Sequence, residues 1–106
     1  MPSRYEPCGL NQMYSMKYGA VPIVRHTGGL ADTVRDFGSK NGVGTGFKFN
    51  DYSPAEFLKT IQRAVEVWKD KEAWGGLMRS AMSEDFSWER SARQYVELYA
   101  KATANL

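Results

Sequence analysis

An unbroken apolar run of five residues, AVPIV at residues 20–24, constrains the fold of this chain more than any other feature. A short run without polar alternation, rich in β-branched residues, is typical of a strand that is buried on both faces of a parallel sheet. Pro22 has no N–H group to donate to a neighbouring strand, so we expect it near the start of the strand. The run therefore predicts an α/β fold whose sheet is covered by helices.

Helical patterns lie on both sides of this strand. Residues 10–18 are predicted to form a helix that ends at Gly19, because glycine readily adopts the left-handed conformation of a helix stop. A second, short helix is predicted from about Gly29, with Leu30 and Val34 on one face. The predicted apolar side of the first helix consists of Leu10, Met13, Tyr14 and Met16.

Another strand and a well-marked helix start follow. Residues 46–49 (GFKF) alternate in polarity and predict a short strand. In the next segment Ser53 can cap a helix, Pro54 suits the first helical position, and Glu56 can complete a capping box. One face of that helix is traced by Leu58, Ile61, Val65 and Trp68.

Two more helices are predicted towards the end of the chain. One spans about residues 71–83 and is weakened by Gly75 and Gly76, and the other is capped by Ser87. The apolar stripe of the last helix consists of Trp88, Ala92, Tyr95 and Tyr99. Aromatic residues could stack on sugar rings, but at helical spacing they more often belong to a core. The aromatic residues for which we therefore expect core positions are Trp68, Trp74, Trp88, Tyr95 and Tyr99.

The order of these elements is that of a parallel α/β sheet, here a Rossmann-like domain with strands at about residues 20–24 and 46–49. Two short strands cannot form such a sheet alone. The opening residues have the composition of a chain leaving another strand. We therefore expect residues 1–106 to be the C-terminal portion of a larger α/β domain, truncated on its N-terminal side.

Composition narrows the classes of function. The 14 basic and 12 acidic residues are interspersed and give a net charge of +2, so no basic run indicates nucleic-acid binding. No segment is typical of a membrane span. Cys8 is the only cysteine and His26 the only histidine, which excludes an internal disulfide and predicts no metal site. These features favour a cytoplasmic protein.

Two segments share a strand–turn–helix layout with glycine in the turn. We call them the EPCGL loop (residues 6–10) and the TGGL turn (residues 27–30). Helix starts expose backbone N–H groups, and glycine lets a phosphate or a sugar hydroxyl approach that backbone closely. Ligands of open α/β sheets bind beyond the carboxyl ends of the strands, where both segments are expected to lie. A diphosphate–sugar site and two merely tight turns are both compatible with this layout.

The chain also resembles a known enzyme family. The long stretch PSRYEPCGLNQMYSMKYGAVPIVRHTGGLADTV, and the later GTGFKF and DFSWERSARQYVELY, are similar to segments of bacterial glycogen synthases and plant starch synthases. The resemblance implies a retaining glycosyltransferase with two Rossmann-like domains. Such enzymes transfer glucose from ADP-glucose, or UDP-glucose in some members, to the non-reducing end of an α-1,4-glucan. This chain would supply part of the donor domain, need no cofactor, and meet its acceptor through the other domain.

The resemblance also implies roles for individual residues. Glu6 matches the acidic residue near the transferred glucose, where it would bind sugar hydroxyls and stabilise positive charge. The residues that match the turn facing the glucose are Cys8, Gly9 and Leu10. Those that match the turn associated with the donor phosphates are Thr27, Gly28 and Gly29. Tyr14 stands where many related enzymes carry a second glutamate, and it is expected to face the nucleoside.

Several other features favour structural explanations. We expect the Cys8 thiol to be a packed, positioning group because no histidine or second cysteine lies near it in sequence. His26 is expected at the surface. The GVGTG segment at residues 42–46 precedes a strand instead of opening a helix, so it does not predict a dinucleotide loop.

Two other classes of function stay open at this point. One is a non-catalytic module that binds a nucleotide sugar, and the other is a structural or interaction domain. An isolated chain is expected to be inactive in any case, since the resemblance places the other half of the cleft and the basic residues upstream.

Overall fold

The computed structural model describes residues 1–38, 43–104 and 106. The elements are α1 (Asn11–Lys17), β1 (Ile23–Arg25), α2 (Gly28–Thr33), β2 (Phe47–Phe49), α3 (Pro54–Lys69), α4 (Lys71–Met82) and α5 (Trp88–Ala104). The predicted mixed α/β class is confirmed, with two parallel strands among these residues.

The two strands pair in parallel through a crossover that contains α2. Ile23 lies opposite Phe47, and Arg25 lies opposite Phe49. Met1 adds a ladder-like contact on β1, because its N atom lies 2.7 Å from the Ile23 oxygen and its own oxygen accepts from the Arg25 N–H at 3.0 Å. The opening residues thus run alongside β1.

The predicted strand bounds were partly wrong. The first strand begins at Ile23, three residues later than predicted, because the Ala20 N–H donates to Ser15 in the C-terminal turn that closes α1. It extends instead to Arg25. The second strand begins at Phe47, since Gly46 forms an isolated bridge with Asp36.

The sheet is covered on both faces, as the apolar run predicted. One cluster of buried residues lies on the Val24 side and contains Met16, Leu30, Val34 and Ala81. The other lies on the Ile23 side and contains Phe47, Ala64 and Leu77, with Trp74 packed against it. Neighbouring residues of a strand point to opposite faces, so β1 separates the two clusters. Helix α4 contributes to both through Leu77 and Ala81.

Helix α1 buries a different side from the predicted one. Of its four predicted apolar positions only Met16 is fully buried, whereas Leu10 and Tyr14 are exposed. The second buried residue of α1 is the polar Gln12, one helical turn before Met16. Polar burial occurs here because the Gln12 amide has hydrogen-bond partners on the EPCGL loop and on α2.

Helices α3 and α5 also differ from the predictions. Helix α3 begins as predicted, with the Ser53 Oγ accepting from the Glu56 N–H at 3.5 Å and Pro54 in the first turn. It buries Thr60 and Ala64, because this side faces the sheet. The residues of the predicted α3 face that are exposed are Leu58, Val65 and Trp68.

No residue of α5 is buried in the described part of the chain. The Ser87 Oγ accepts from the Arg90 N–H at 3.3 Å, as its predicted role as a cap requires. The predicted core positions of Trp88, Tyr95 and Tyr99 are wrong, since all three are exposed. Amphipathic spacing identifies the apolar side of a helix but not the surface that covers it.

Residues 39–42, which include Gly42 of the GVGTG segment, lie outside the described residues. Among the described residues, no helix combines the length and the apolar character that crossing a membrane requires.

Candidate functional site

The EPCGL loop and the TGGL turn are in direct backbone contact. The Gly29 N–H donates to the Glu6 oxygen at 3.0 Å and to the Pro7 oxygen at 3.1 Å. A Cβ atom on Gly28 would lie 2.0 Å from the Glu6 oxygen, and one on Gly29 would lie 2.1 Å from the Cys8 oxygen. Any side chain at these two positions would therefore push the segments apart, so both glycines are required by the contact itself.

This contact changes which N–H groups of the TGGL turn are available to a ligand. Gly29, predicted as a phosphate-binding residue, already donates within the protein. The N–H groups of Leu30 and Ala31 bond to the Thr27 oxygen. The Gly28 N–H has no hydrogen-bond acceptor among the described residues. Of the two glycines predicted to bind phosphate, only Gly28 thus presents an unused backbone donor.

Glu6 lies at the start of the EPCGL loop, and its position is fixed by backbone contacts. Its side chain is half-buried and forms no ion pair within the described part of the chain. The Ser3 hydroxyl donates to its Oε2 at 3.5 Å. Arg25 supports the preceding residues by donating to the Arg4 oxygen at 2.6 Å, with its guanidinium over the Tyr52 ring. Glu6 therefore keeps its charge available for a ligand.

The prediction that the Cys8 thiol is packed is wrong. Cys8 is exposed, and within the described part of the chain its Sγ forms one weak hydrogen bond, to the Gly9 oxygen at 3.5 Å. The Cys8 backbone is the packed part, since its carbonyl lies against Gly29. The backbone, and not the sulfur, holds this residue in place.

A groove of about 770 Å³ brings together three of the predicted ligand-binding residues, Cys8, Leu10 and Tyr14. It runs between α1 and the segment that leads into α5. The groove is lined by two basic residues, Lys17 and Arg90, and by three acidic residues, Asp32, Glu84 and Asp85. Hydrogen bonds from Ser87 lower the pKa of the Asp85 carboxyl, which favours its charged form. The groove is therefore not basic, and it offers little charge to neutralise a diphosphate.

The other predicted residues stand apart from this groove. Glu6, Thr27, Gly28 and Gly29 are not among the residues that line it. His26 is exposed, as predicted. Among residues 1–38, 43–104 and 106, no group of three or more His, Cys, Asp and Glu side chains could hold a metal ion.

Sequence analysis did not identify Gln12, Arg25 and Thr33 as part of the site. Gln12 and Thr33 connect the two segments through side-chain hydrogen bonds. The signal for Gln12 was its place one turn before Met16 on the buried side of α1. Its partner Thr33 is 21 positions away, so no local pattern reveals the pair.

Comparison with known proteins assigns the fold and the segment. The structure matches the catalytic domain of starch synthase IV from Arabidopsis thaliana, solved with ADP and acarbose bound, with a TM-score of 0.83 and 43% identity. The match covers 97% of this chain and 22% of that one. The fold is therefore that of part of a glycosyltransferase catalytic domain.

Curated relatives carry the assignment further. The glycogen synthase of Koribacter versatilis is 57% identical over 102 residues, which are 96% of this chain and 21% of the relative. The glycogen synthase of Fervidobacterium nodosum is 51% identical over 106 residues, covering 100% of this chain and 22% of the relative. No protein-family model matches the chain. The chain is thus homologous to a segment of the glycogen synthases and spans about a fifth of their length, which confirms the resemblance predicted from its motifs.

Proposed function

We propose that this chain is the C-terminal portion of the donor domain of a retaining glucosyltransferase that extends an α-1,4-glucan from ADP-glucose. The observation that carries the proposal is the backbone contact between the EPCGL loop and the TGGL turn. The family resemblance assigned the EPCGL loop to the sugar and the TGGL turn to the phosphates. Through this contact the two segments form one surface. The homologous starch synthase domain, in a structure with ADP bound, supports a nucleotide-sugar donor for this chain.

Each residue of the site has its own role in binding the donor or in transferring the glucose. Glu6 binds sugar hydroxyls and stabilises the positive charge that develops on the transferred glucose. The backbone of Cys8, Gly9 and Leu10 faces the sugar. Thr27 and the Gly28 N–H bind the donor phosphates, while Gly29 holds the two segments together. Tyr14, on the groove, faces the nucleoside.

The transfer breaks the bond between glucose C1 and the donor phosphate oxygen. A new bond forms between C1 and the 4-hydroxyl oxygen of the glucan, whose proton leaves on the departing diphosphate. No bond to Cys8 and no metal or cofactor is required. The charge on the diphosphate calls for basic side chains beyond the residues of this site, because the groove is not basic.

The glucan would bind through a domain outside this chain, in a cytoplasmic enzyme. We expect neither nucleic acid nor membrane among the partners. Two functions compete with this proposal. A non-catalytic nucleotide-sugar module would bind the donor without transferring glucose, and a purely structural domain would do neither.

The proposal is tested with a chimera in which this chain replaces the matching segment of the Koribacter versatilis glycogen synthase. At 57% identity the exchange should preserve the fold of the host. We expect release of ADP from ADP-glucose in the presence of glycogen at a rate within about tenfold of the parent enzyme, a loss of no more than about 1.4 kcal/mol of transition-state stabilisation. The chain alone is expected to release none above background.

A folded chimera that binds donor without transfer would favour the non-catalytic module, and one that binds no donor would favour the structural domain. UDP-glucose, assayed in parallel, determines which donor the site prefers.

Cys8→Ser in the chimera should leave most of the activity intact. The thiol is exposed and forms one weak hydrogen bond among the described residues, so the hydroxyl can take its place without altering the packed backbone. The measurement is the initial rate at saturating donor, with an expected loss of less than about tenfold, because no covalent step uses the sulfur. Abolished transfer with normal donor binding would assign the thiol a chemical role.

A further inference from the structure

Gln12 is a fully buried polar residue on α1, directly beneath the EPCGL loop. Its Nε2 donates to the Cys8 oxygen at 3.0 Å, to the Gly9 oxygen at 3.0 Å and to the Thr33 hydroxyl oxygen at 3.1 Å. An amide group has two N–H donors, so these three acceptors share the two N–H groups of Gln12. Because carbonyl oxygens only accept, the NH₂ group must face the loop, which fixes the orientation of the amide.

The hydrogen bonds of Gln12 continue into the second segment. The Thr33 hydroxyl donates to the Gly29 oxygen at 2.6 Å. The Gly29 N–H in turn donates to the Glu6 and Pro7 oxygens. The chain of bonds therefore starts at the EPCGL loop, passes through Gln12, Thr33 and Gly29, and returns to the same loop. It links the loop and the TGGL turn in a closed ring.

This ring determines which way the loop amides point. In a trans peptide the C=O and the following N–H point in opposite directions. No cis peptide bond occurs in the described chain. Since Gln12 holds the Cys8 and Gly9 carbonyls inward, the N–H groups of Gly9 and Leu10 are turned away from the core. Neither N–H has a hydrogen-bond acceptor among the described residues.

Gln12 is also costly to keep. Its Oε1 is buried and has no hydrogen-bond partner in the described part of the structure. An unsatisfied buried acceptor destabilises a fold, and the hydrogen bonds that the Gln12 Nε2 donates must offset that cost. Gly9 packs closely against this Oε1 atom of Gln12, because a Cβ atom at position 9 would lie 2.7 Å from it. A buried polar residue that leaves one acceptor unsatisfied and yet holds the shape of the loop indicates a functional role.

We infer that Gln12 is a positioning residue for glucosyl transfer. It holds the loop so that the Gly9 and Leu10 N–H groups face the donor, and through Thr33 it sets the spacing between this loop and the TGGL turn. The catalytic role of Gln12 rests on the proposed function. The conformation of the loop, however, can be measured whether or not that function is correct.

The test uses Gln12→Met, which keeps the size and removes the hydrogen bonds, and the milder Thr33→Val. The matched control is Thr60→Val, because the Thr60 hydroxyl makes the same kind of bond to the Glu56 oxygen four residues earlier, at 2.9 Å, away from the site. Thr33→Ser restores the hydroxyl. The amide chemical shifts of the chain measure changes in the conformation of the loop. The kcat and donor KM of the chimera measure the effect on catalysis.

In the chain, both site variants should shift the amides of Cys8, Gly9 and Leu10, whereas Thr60→Val should not. In the chimera, Gln12→Met should lower kcat by about 100-fold with little change in donor KM, since a displacement of about 1 Å has this effect on a reacting geometry. Thr33→Val should lower kcat less, and Thr33→Ser should recover most of that loss. Thr60→Val should stay within about twofold of the unaltered chimera.

Loop shifts and kcat values that match those of Thr60→Val would overturn the inference. If Gln12→Met does not fold, the comparison of Thr33→Val with Thr33→Ser decides the same question. An unaltered chimera without transfer activity would instead contradict the proposed function, and the amide shifts of the chain would still determine whether Gln12 holds the loop.

Discussion

Replacing Glu6 with Ala or Gln in the chimera is expected to lower kcat for glucose transfer by on the order of 10²-fold or more, with a much smaller change in donor KM. Glu6 forms no ion pair with the described residues, and its charge lies on a loop that is fixed by backbone contacts. That charge interacts more strongly with the developing oxocarbenium ion than with the neutral glucose of the bound donor. An interaction that strengthens in the transition state appears in kcat.

Glu6→Gln separates charge from shape, because the amide keeps the size and the ability to bind hydroxyl groups. The matched control is Glu66→Gln, an exposed carboxylate on α3 that pairs with Lys69 at 2.7 Å. It should change kcat by less than about twofold, as expected for a surface substitution. A raised donor KM with near-normal kcat in the Glu6 variants would limit Glu6 to sugar binding.

Gly29→Ala is expected to destabilise the chain by about 1–3 kcal/mol or more, through overpacking at the contact of the two segments. The new Cβ would lie 2.1 Å from the Cys8 oxygen and 2.3 Å from its Cα atom. These are backbone atoms, so no side-chain rotation relieves the clash, and the loop must move. Urea unfolding followed by circular dichroism measures the free energy of unfolding.

Gly76→Ala is the matched control for this prediction. Gly76 also lies in a helix, but the nearest atom to its Cβ would be the flexible Arg79 guanidinium at 3.9 Å. The same substitution should therefore stabilise the chain by about 0.5–1 kcal/mol, the usual gain of Ala over Gly in a helix. Equal effects at both positions would mean that the backbone contact at Gly29 does not constrain the fold.

The local features of this fold could be predicted from the sequence. The glycine turns, the caps at Ser53 and Ser87, and a buried parallel strand all depend on residues within a few positions of one another. Gly19 ends α1 with a φ of 77°, as its position after the apolar pattern indicated. Such features are local, and the physics that sets them acts within a turn or a cap.

The remaining features depend on distant partners. The polar Gln12 is buried because Thr33, on another helix, accepts a hydrogen bond from its side-chain amide. Helix α3 has Leu58 and Trp68 on one apolar side, yet it packs on the sheet through Thr60 and Ala64. The aromatic stripe of α5 predicted a core, but the described residues place nothing over it. Periodicity shows that a side can be buried, whereas the partner follows only from the tertiary structure.

Titration of the chain with ADP, followed through amide chemical shifts, tests most directly whether the EPCGL loop and the TGGL turn form one donor site. We expect weak binding, with changes at Thr27 and Gly28 that fade as salt is added, because the contact with phosphate is electrostatic. Gly9 and Leu10 should show smaller changes, because their loop is in backbone contact with the TGGL turn. Gly29 should change less than Gly28, since its N–H stays bonded to Glu6. Adenosine, which lacks the phosphates, should leave these amides unchanged. Changes confined to residues 43–46, or equal changes with adenosine, would show that the two segments do not form a donor site.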